Sequence, residues 1–201
     1  IPAFTGTAIF AAAKNFTPLG EPAPKPDPNR PPIVFQKGCW CVVDEQTELD
    51  FTRLRENGAR IWAEGELAVV LDGNLRPKWA TIANDITMHF PKIIQDNHLP
   101  YFKSQPNFLP LSSRVYPPDI LNSFFLESVA DGNVTRAARA ESLIWNATDL
   151  TNWISNWAPL KENDLILLGS PLRFSGHVYQ EQNSEFVTRL NSDVVMTTRF
   201  I

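Results

Sequence analysis

The sequence predicts a mostly β fold with few helices, and three observations lead there. Residues 33–43, 59–71, 80–87, 122–130, 165–168 and 194–201 are enriched in β-branched and aromatic side chains, the composition of strands. Asp72-Gly73-Asn74 and Asp131-Gly132-Asn133 offer the left-handed backbone that hairpin turns demand. Helical periodicity is confined to residues 148–157, where Leu150, Trp153, Ile154 and Trp157 recur at helical spacing behind Thr148 as N-cap. With 201 residues and 43% hydrophobic content, the chain can bury a sizeable core as one domain spanning 1–201.

Taken in order, residues 1–13 are apolar without a charged leading segment, and read as the approach to a strand rather than a signal peptide. Residues 18–32 hold seven of the seventeen prolines, with Glu21, Lys25, Asp27 and Arg30 between them. Each proline fixes φ and lacks an N–H, so this segment is an extended surface loop. The two cysteines, Cys39 and Cys41, fall two apart on the strand over 33–43, a spacing poor for a disulfide and at most half a metal site. They are expected as reduced thiols packed as small hydrophobes, which favours an intracellular location. The tryptophans of 148–157 are expected in the core, from the same periodicity that predicts the helix.

Glu64-Gly65-Glu66, inside the apolar run 61–71, is the strongest chemical signal. Side chains alternate along a strand, so both carboxylates share one face. Charged residues are usually solvated, but burying two like charges side by side requires something to neutralise them. Asp85, in the β-prone segment 80–87, can be aimed at the same point, and three carboxylates with room for water suit a hard ion such as Mg²⁺ or Mn²⁺. Lys103 is the basic group that could hold a substrate anion or, with its pKa lowered, move a proton. His89, His98 and His177 show no paired metal spacing; His98, shortly before Lys103, is the histidine to test first for proton transfer. Gly169-Ser170-Pro171 is not a nucleophile elbow, and no Gly-rich phosphate loop occurs.

In this order the blocks resemble the fumarylacetoacetate hydrolase family, from about Phe35 to Ile201. Glu64-Gly65-Glu66-Leu67-Ala68-Val69-Val70 is similar to that family's Glu-x-Glu-Leu-x-Val-Val strand, and Asn84-Asp85-Ile86-Thr87 to its Asn-Asp-Val-Ser segment. Lys103-Ser104 with Leu109-Pro110-Leu111, the Asp131-Gly132-Asn133-Val134 hairpin, the signature from Leu160 to Pro171 and the final Asp193-Val194-Val195 strand follow in sequence. The resemblance implies a mixed β-roll, a homodimer and a small 2-oxo acid substrate, with the Pro-rich segment as a lid. It implies that Glu64, Glu66 and Asp85 hold Mg²⁺ or Mn²⁺, that Lys103 positions or protonates the substrate, and that Ser170 and the Gly169 backbone bind its carboxylate end. His89 stands where the family usually has a substrate-binding arginine. The family acts through a metal-stabilised enolate, with decarboxylase, isomerase and acylpyruvate hydrolase outcomes.

The departures bear on which outcome to expect. Hydrolytic members place a His, then a Glu, after an Asn-Tyr near the N-terminus to activate water. Here Asn15-Phe16 is followed by no histidine before Glu21, the one carboxylate that could remain of the pair. Decarboxylation or isomerisation is therefore favoured over C–C hydrolysis, with a non-catalytic member that only binds metal, a small acid or a partner as the alternative. A net charge of −4 with scattered Lys and Arg gives no footprint for nucleic acid. No apolar run reaches the roughly 18 residues of a membrane span.

Overall fold

The computed structural model describes residues 6–27, 29–91, 98–174 and 178–201, so His177 lies outside the described residues. In chain order the elements are β1 (Ile9–Ala13), β2 (Ile33–Lys37), β3 (Val42–Asp44), α1 (Thr52–Glu56), β4 (Arg60–Trp62), β5 (Gly65–Leu71), β6 (Pro77–Asn84) and β7 (Thr87–His89). There follow α2 (Leu99–Lys103), β8 (Leu109–Leu111), β9 (Phe125–Ala130), β10 (Asn133–Arg139), α3 (Ala147–Ser155), β11 (Leu165–Leu167), β12 (Ser184–Leu190) and β13 (Asp193–Phe200). The fold is mostly β, as the sequence predicts.

A seven-stranded mixed sheet runs in the order β2-β1-β11-β5-β6-β8-β3, with β1 parallel to β11 and β3 parallel to β8. An antiparallel four-stranded sheet, β10-β9-β12-β13, and the small pair β4-β7 complete it. The large sheet is buried on both faces. Ile9, Ala11, Ala68, Ala83, Leu165 and Leu167 enter one core cluster, while their neighbours Phe10, Ala12, Leu67, Ile82, Ile166 and Leu168 enter the other. This two-sided burial is why these segments read as continuous apolar runs rather than alternating ones. Asp164, fully buried, fastens the chain's start to this sheet: its Oδ1 accepts the Thr7 and Ala8 N–H groups at 2.9 Å each.

Two predicted strands are each two strands in space. The run 59–71 breaks at Ala63-Glu64 and the run 80–87 at Asp85-Ile86, because β4 and β7 pair in one sheet while β5 and β6 pair in another. The breaks lie opposite one another, tied by the Asp85 N–H donating to the Glu64 carbonyl at 2.8 Å. Gly65 is required here by close approach. A Cβ on it would stand 2.6 Å from Thr188 Oγ1 and 2.9 Å from Ser128 Oγ, both side chains fully buried on the four-stranded sheet. Thr188 Oγ1 in turn donates to Asn84 Oδ1 at 2.8 Å, which fixes the residue before Asp85.

Other expectations need correction. The strand predicted over 33–43 ends at Lys37, and Cys39–Cys41 form a 3₁₀ turn. Trp40 folds back over Gly38, where any Cβ would lie 2.3 Å from its ring, and its Nε1 donates to the Ser104 carbonyl at 2.8 Å. Both thiols are free, Cys39 exposed and Cys41 buried. Asn146, not Thr148, caps α3, its side chain accepting the Asp149 N–H at 2.9 Å. Trp157 lies beyond the helix and is 51% exposed, its ring meeting Phe10 edge-on. The described part of 18–32 contains no helix or strand, as expected of a Pro-rich loop.

The packing at Gly65 yields a stability test. Gly65→Ala should lower unfolding free energy by about 1–3 kcal/mol, the usual cost of overpacking a tight site. An unchanged denaturation midpoint would contradict the close approach.

Candidate active site

The opposed breaks turn carboxylates toward one point. Glu66 projects from β5 on the face of Ala68, Glu64 sits in the first break and Asp85 in the second. One oxygen from each lies within 4.8 Å of the others. Glu66 and Asp85 are 2% and 1% exposed, so water neutralises little of this charge.

Three cations, each from a different element, fill the gaps. Lys103, at the end of α2, places Nζ 2.7 Å from Glu64 Oε2 and 2.5 Å from Asp85 Oδ2. Lys37, at the end of β2, reaches the other Asp85 oxygen, Oδ1, at 2.6 Å and also donates to the Lys103 carbonyl. Arg136, from β10, brings Nη2 to 2.7 Å from Glu64 Oε1 and donates from Nη1 to the Pro171 carbonyl at 2.9 Å. The result is a line of alternating sign, Lys37, Asp85, Lys103, Glu64, Arg136. Glu66 stands beside it with no salt bridge to a described cation; its Oε2 accepts only the Gly169 N–H, at 3.0 Å.

The electrostatics follow from this arrangement. Burial alone would raise the Glu64 pKa, but Lys103 and Arg136 outweigh it and hold the carboxyl at about 2. Glu66 goes the other way. Burial, then the charges of Asp85 and Glu64, push it well above the usual carboxylate range against the pull of Lys103. Burial opposes the Lys103 charge, yet Asp85, Glu64 and Glu66 together raise its pKa. Lys103 is thus a fixed cation suited to holding an anion. Of the two roles open to it, the raised pKa favours holding an anion over moving a proton, because the lysine faces three carboxylates rather than an apolar wall.

A cavity of about 340 Å³ opens over the cluster, between Phe35 and Trp62 on the inside and Lys14, Ser170 and Arg173 at the mouth. Glu64, Glu66, Lys103 and Arg136 line it. Ser170 lines the cavity. The Gly169 N–H donates to Glu66 Oε2 and holds that carboxylate. His89 lies on β7 opposite Arg60, its ring 6.0 Å from that of Trp62, and is not among the residues that line the cavity. His98 is exposed at the start of α2, edge-on to Phe102, and does not line the cavity. Glu21 is exposed in the Pro-rich loop and is also outside the lining; its backbone carbonyl accepts from Thr17 Oγ1 at 2.5 Å.

Lys37, Arg136 and Arg173 are absent from the sequence reading. Lys37 had a signal: it follows Phe35 by two in a β-prone run, so the strand that buries Phe35 buries Lys37 as well. Arg136 gave little, since β10 is built largely of small residues and was not predicted as a strand.

The donor set fits a hard divalent ion. Oxygens about 2.0–2.1 Å from a Mg²⁺-sized ion lie roughly 3–4 Å apart, within the 4.8 Å that bounds the oxygen separations of this cluster. All donors are carboxylate oxygens, the type such ions prefer. The family model described as Fumarylacetoacetate (FAA) hydrolase C-terminal matches residues 4–197. The chain belongs to this family. An uncharacterized protein of Archaeoglobus fulgidus is 26% identical over 181 residues, covering 85% of this chain and 70% of that protein. Among solved structures, 5-carboxymethyl-2-hydroxymuconate delta-isomerase of Mycobacterium smegmatis superposes with a TM-score of 0.77 at 20% identity, over 98% of this chain and 79% of that one. Fumarylpyruvate hydrolase of Pseudomonas aeruginosa, solved with Mn²⁺ and pyruvate, gives 0.75 at 17% identity, over 96% and 89%. At these identities the structural matches speak for the fold, and the family they share contains both isomerases and hydrolases.

Burial separates the ion pairs energetically. Lys37→Met leaves Asp85 short of one buried partner and should cost about 3–5 kcal/mol. Lys78 pairs with Glu162 at 3.0 Å, but with 38% and 52% of the side chains exposed. Lys78→Met should therefore cost under about 1 kcal/mol. Equal losses in urea denaturation would refute the assignment of Lys37 to a buried network.

Proposed function

We propose that this chain is a divalent-metal-dependent enzyme acting on a 2-oxo acid through an enolate, with isomerisation or decarboxylation favoured over hydrolytic C–C cleavage. The observation that carries the reading is Glu66: a buried carboxylate beside two others, with a backbone N–H but no salt bridge to a cationic side chain among the described residues. Glu64 and Asp85 each have two cationic partners, so the deficit is localised where a bound ion would contact all three. A divalent ion held by Glu64, Glu66 and Asp85 supplies Lewis-acid stabilisation of negative charge developing on a keto oxygen.

The rest is the work of this chain's own residues. Lys103, protonated and anchored between Glu64 and Asp85, holds those carboxylates in place and presents positive charge to an incoming carboxylate. Ser170 offers a hydroxyl at the mouth, and the rings of Phe35 and Trp62 wall the inner end against water. Hydrolysis needs a base beside the substrate to activate water, and neither His89, His98 nor Glu21 lines the cavity. With none of these three candidates at the cavity, the electron pair of an enolate is quenched by a proton returning to carbon. In a β-keto acid, the enolate itself forms by breaking the bond to the departing CO₂.

One observation favours a second reading. Lys37, Lys103 and Arg136 match Glu64, Glu66 and Asp85 in number, and both Glu64 oxygens are already paired. A family member whose site is neutralised internally would need no metal and turn nothing over.

Thermal unfolding separates the two. Under the enzymatic reading, Mg²⁺ or Mn²⁺ at about 100 times its Kd stabilises the protein by about 2.7 kcal/mol, and chelator removes the gain. Glu66→Gln, which keeps the volume and an acceptor for Gly169, should abolish that response. A melting temperature indifferent to both ions would establish the internally neutralised site. With metal response in hand, oxaloacetate-like acids should be tautomerised or decarboxylated faster than acylpyruvates are cleaved. Efficient acylpyruvate cleavage would reverse the choice of reaction.

A further inference from the structure

Asn15 is a buried polar side chain that belongs neither to the carboxylate cluster nor to the cavity lining. It is 2% exposed and follows Lys14, whose left-handed backbone (φ 55°) closes β1 and turns the next residue inward. A buried amide is tolerated only with its hydrogen bonds made, and this one makes three. Oδ1 accepts the Trp145 N–H at 2.8 Å, which fixes the other end of the amide as the donor. One Nδ2 hydrogen returns to the Trp145 carbonyl at 2.9 Å, and the second reaches the Leu168 carbonyl at 2.8 Å. The two bonds to Trp145 close a ring between distant stretches of chain and need no further purpose. The third lands on a peptide group that has a second task. The Leu168 carbonyl and the Gly169 N–H belong to one planar, trans unit, so they point in opposite directions. That N–H is the group that donates to Glu66 Oε2 at 3.0 Å. Rotating the unit therefore breaks both bonds together, and a donor on its carbonyl strengthens the N–H at its other side. The fit is close: a Cβ on Gly169, itself at φ 92°, would lie 3.1 Å from the Asn15 Cβ and from the Ala12 carbonyl oxygen.

We propose that Asn15 is a positioning residue for Glu66: through the Leu168–Gly169 peptide it holds that carboxylate where it can join Glu64 and Asp85 on one divalent ion, and so sets the affinity for the ion. The effect on affinity rests on the reading of these three carboxylates as metal ligands. Glu66 depends on such support more than its neighbours do. Glu64 and Asp85 are each gripped by two cationic side chains, whereas Glu66 is held by a single backbone N–H whose direction Asn15 fixes. Groups that orient a metal ligand change metal affinity by about 10–100-fold when removed. Asn15 acts across one intervening peptide, which places it at the low end of that range.

Two readouts on the full chain test this: Mn²⁺ titration by calorimetry and by the electron paramagnetic resonance of the bound ion, and the Gly169 amide resonance in protein labelled at its nine glycines. Asn15→Ala, or Asn15→Ser where the alanine variant does not fold, should weaken Mn²⁺ binding about tenfold. It should also move the Gly169 amide proton upfield, the sense expected when a bond to a carboxylate weakens. Thr81→Val is the control for lost stability. It removes a buried hydroxyl that bonds the Ser112 and Arg114 carbonyls outside the cavity lining, so it should lower the melting temperature yet leave the Mn²⁺ Kd and the Gly169 amide unchanged. An Asn15 variant that melts lower but keeps the wild-type Kd is a structural staple only, which overturns the proposal and leaves the metal reading standing. Equal weakening of Mn²⁺ by Thr81→Val overturns it too. If wild type ignores Mn²⁺ but the Gly169 amide still moves in the Asn15 variant, the positioning of Glu66 holds and the metal reading fails; an unmoved amide as well overturns both.

Discussion

Asp85 is gripped at both oxygens, Oδ1 by Lys37 and Oδ2 by Lys103, while its own N–H is spent on the Glu64 carbonyl. A carboxylate buried this deeply survives only if such partners are already in place when water leaves. That demand ties together β2, the two strand breaks and α2, which share no local sequence. The large sheet, the small sheet and the helix therefore have little freedom to shift relative to one another at this point. Breaking the grip at any member leaves a charge with nowhere to go, so the geometry of the site and the integrity of the core are one constraint.

The strand breaks show how the backbone serves this end. An unbroken ladder from β4 through β5 would keep every side chain on a strict two-residue alternation between faces. Interrupting both strands at the same level lets the chain pass from one sheet to another and releases Glu64 and Asp85 from that alternation. The cost is a place where Gly65 must have no side chain, because Thr188 and Ser128 occupy the space. Glycine between two glutamates is thus explained by packing against the second sheet, whereas its neighbours are explained by charge.

How much of this was legible follows the same division. The carboxylates and Lys103 were readable because charge inside apolar runs is costly and therefore conspicuous, and the order of blocks led to the family and its mostly β fold. The breaks were not readable, since residues 59–71 and 80–87 keep β-forming composition straight through them and only pairing partners reveal the division. β10 and β12 escaped for a different reason: Arg136, Arg139, Glu185 and Arg189 dilute their β signal, and burial of Ala137, Ala138, Phe186 and Thr188 depends on the sheet they build together. Arg136 could not be placed at the site before its strand was. The expected roles of His89 and Glu21 came from position in a pattern rather than from a physical need, and the cavity lining includes neither.

Asp164 has a kinetic meaning as well as a structural one. It fastens Thr7 and Ala8 across a sequence separation of 157 and 156 residues, and β1 lies directly beside β11 in parallel. Parallel pairing over such a span closes a very long loop before any contact rewards it, which slows folding relative to hairpin-rich neighbours. During synthesis β1 must wait, an apolar strand without its partner, until β11 has emerged, while β5 and β6 can pair early. Gly169, which holds Glu66, arrives only with that last partner. The cavity is therefore among the final features to assemble, and a nascent chain halted before β11 would carry its carboxylates without the frame that orients them.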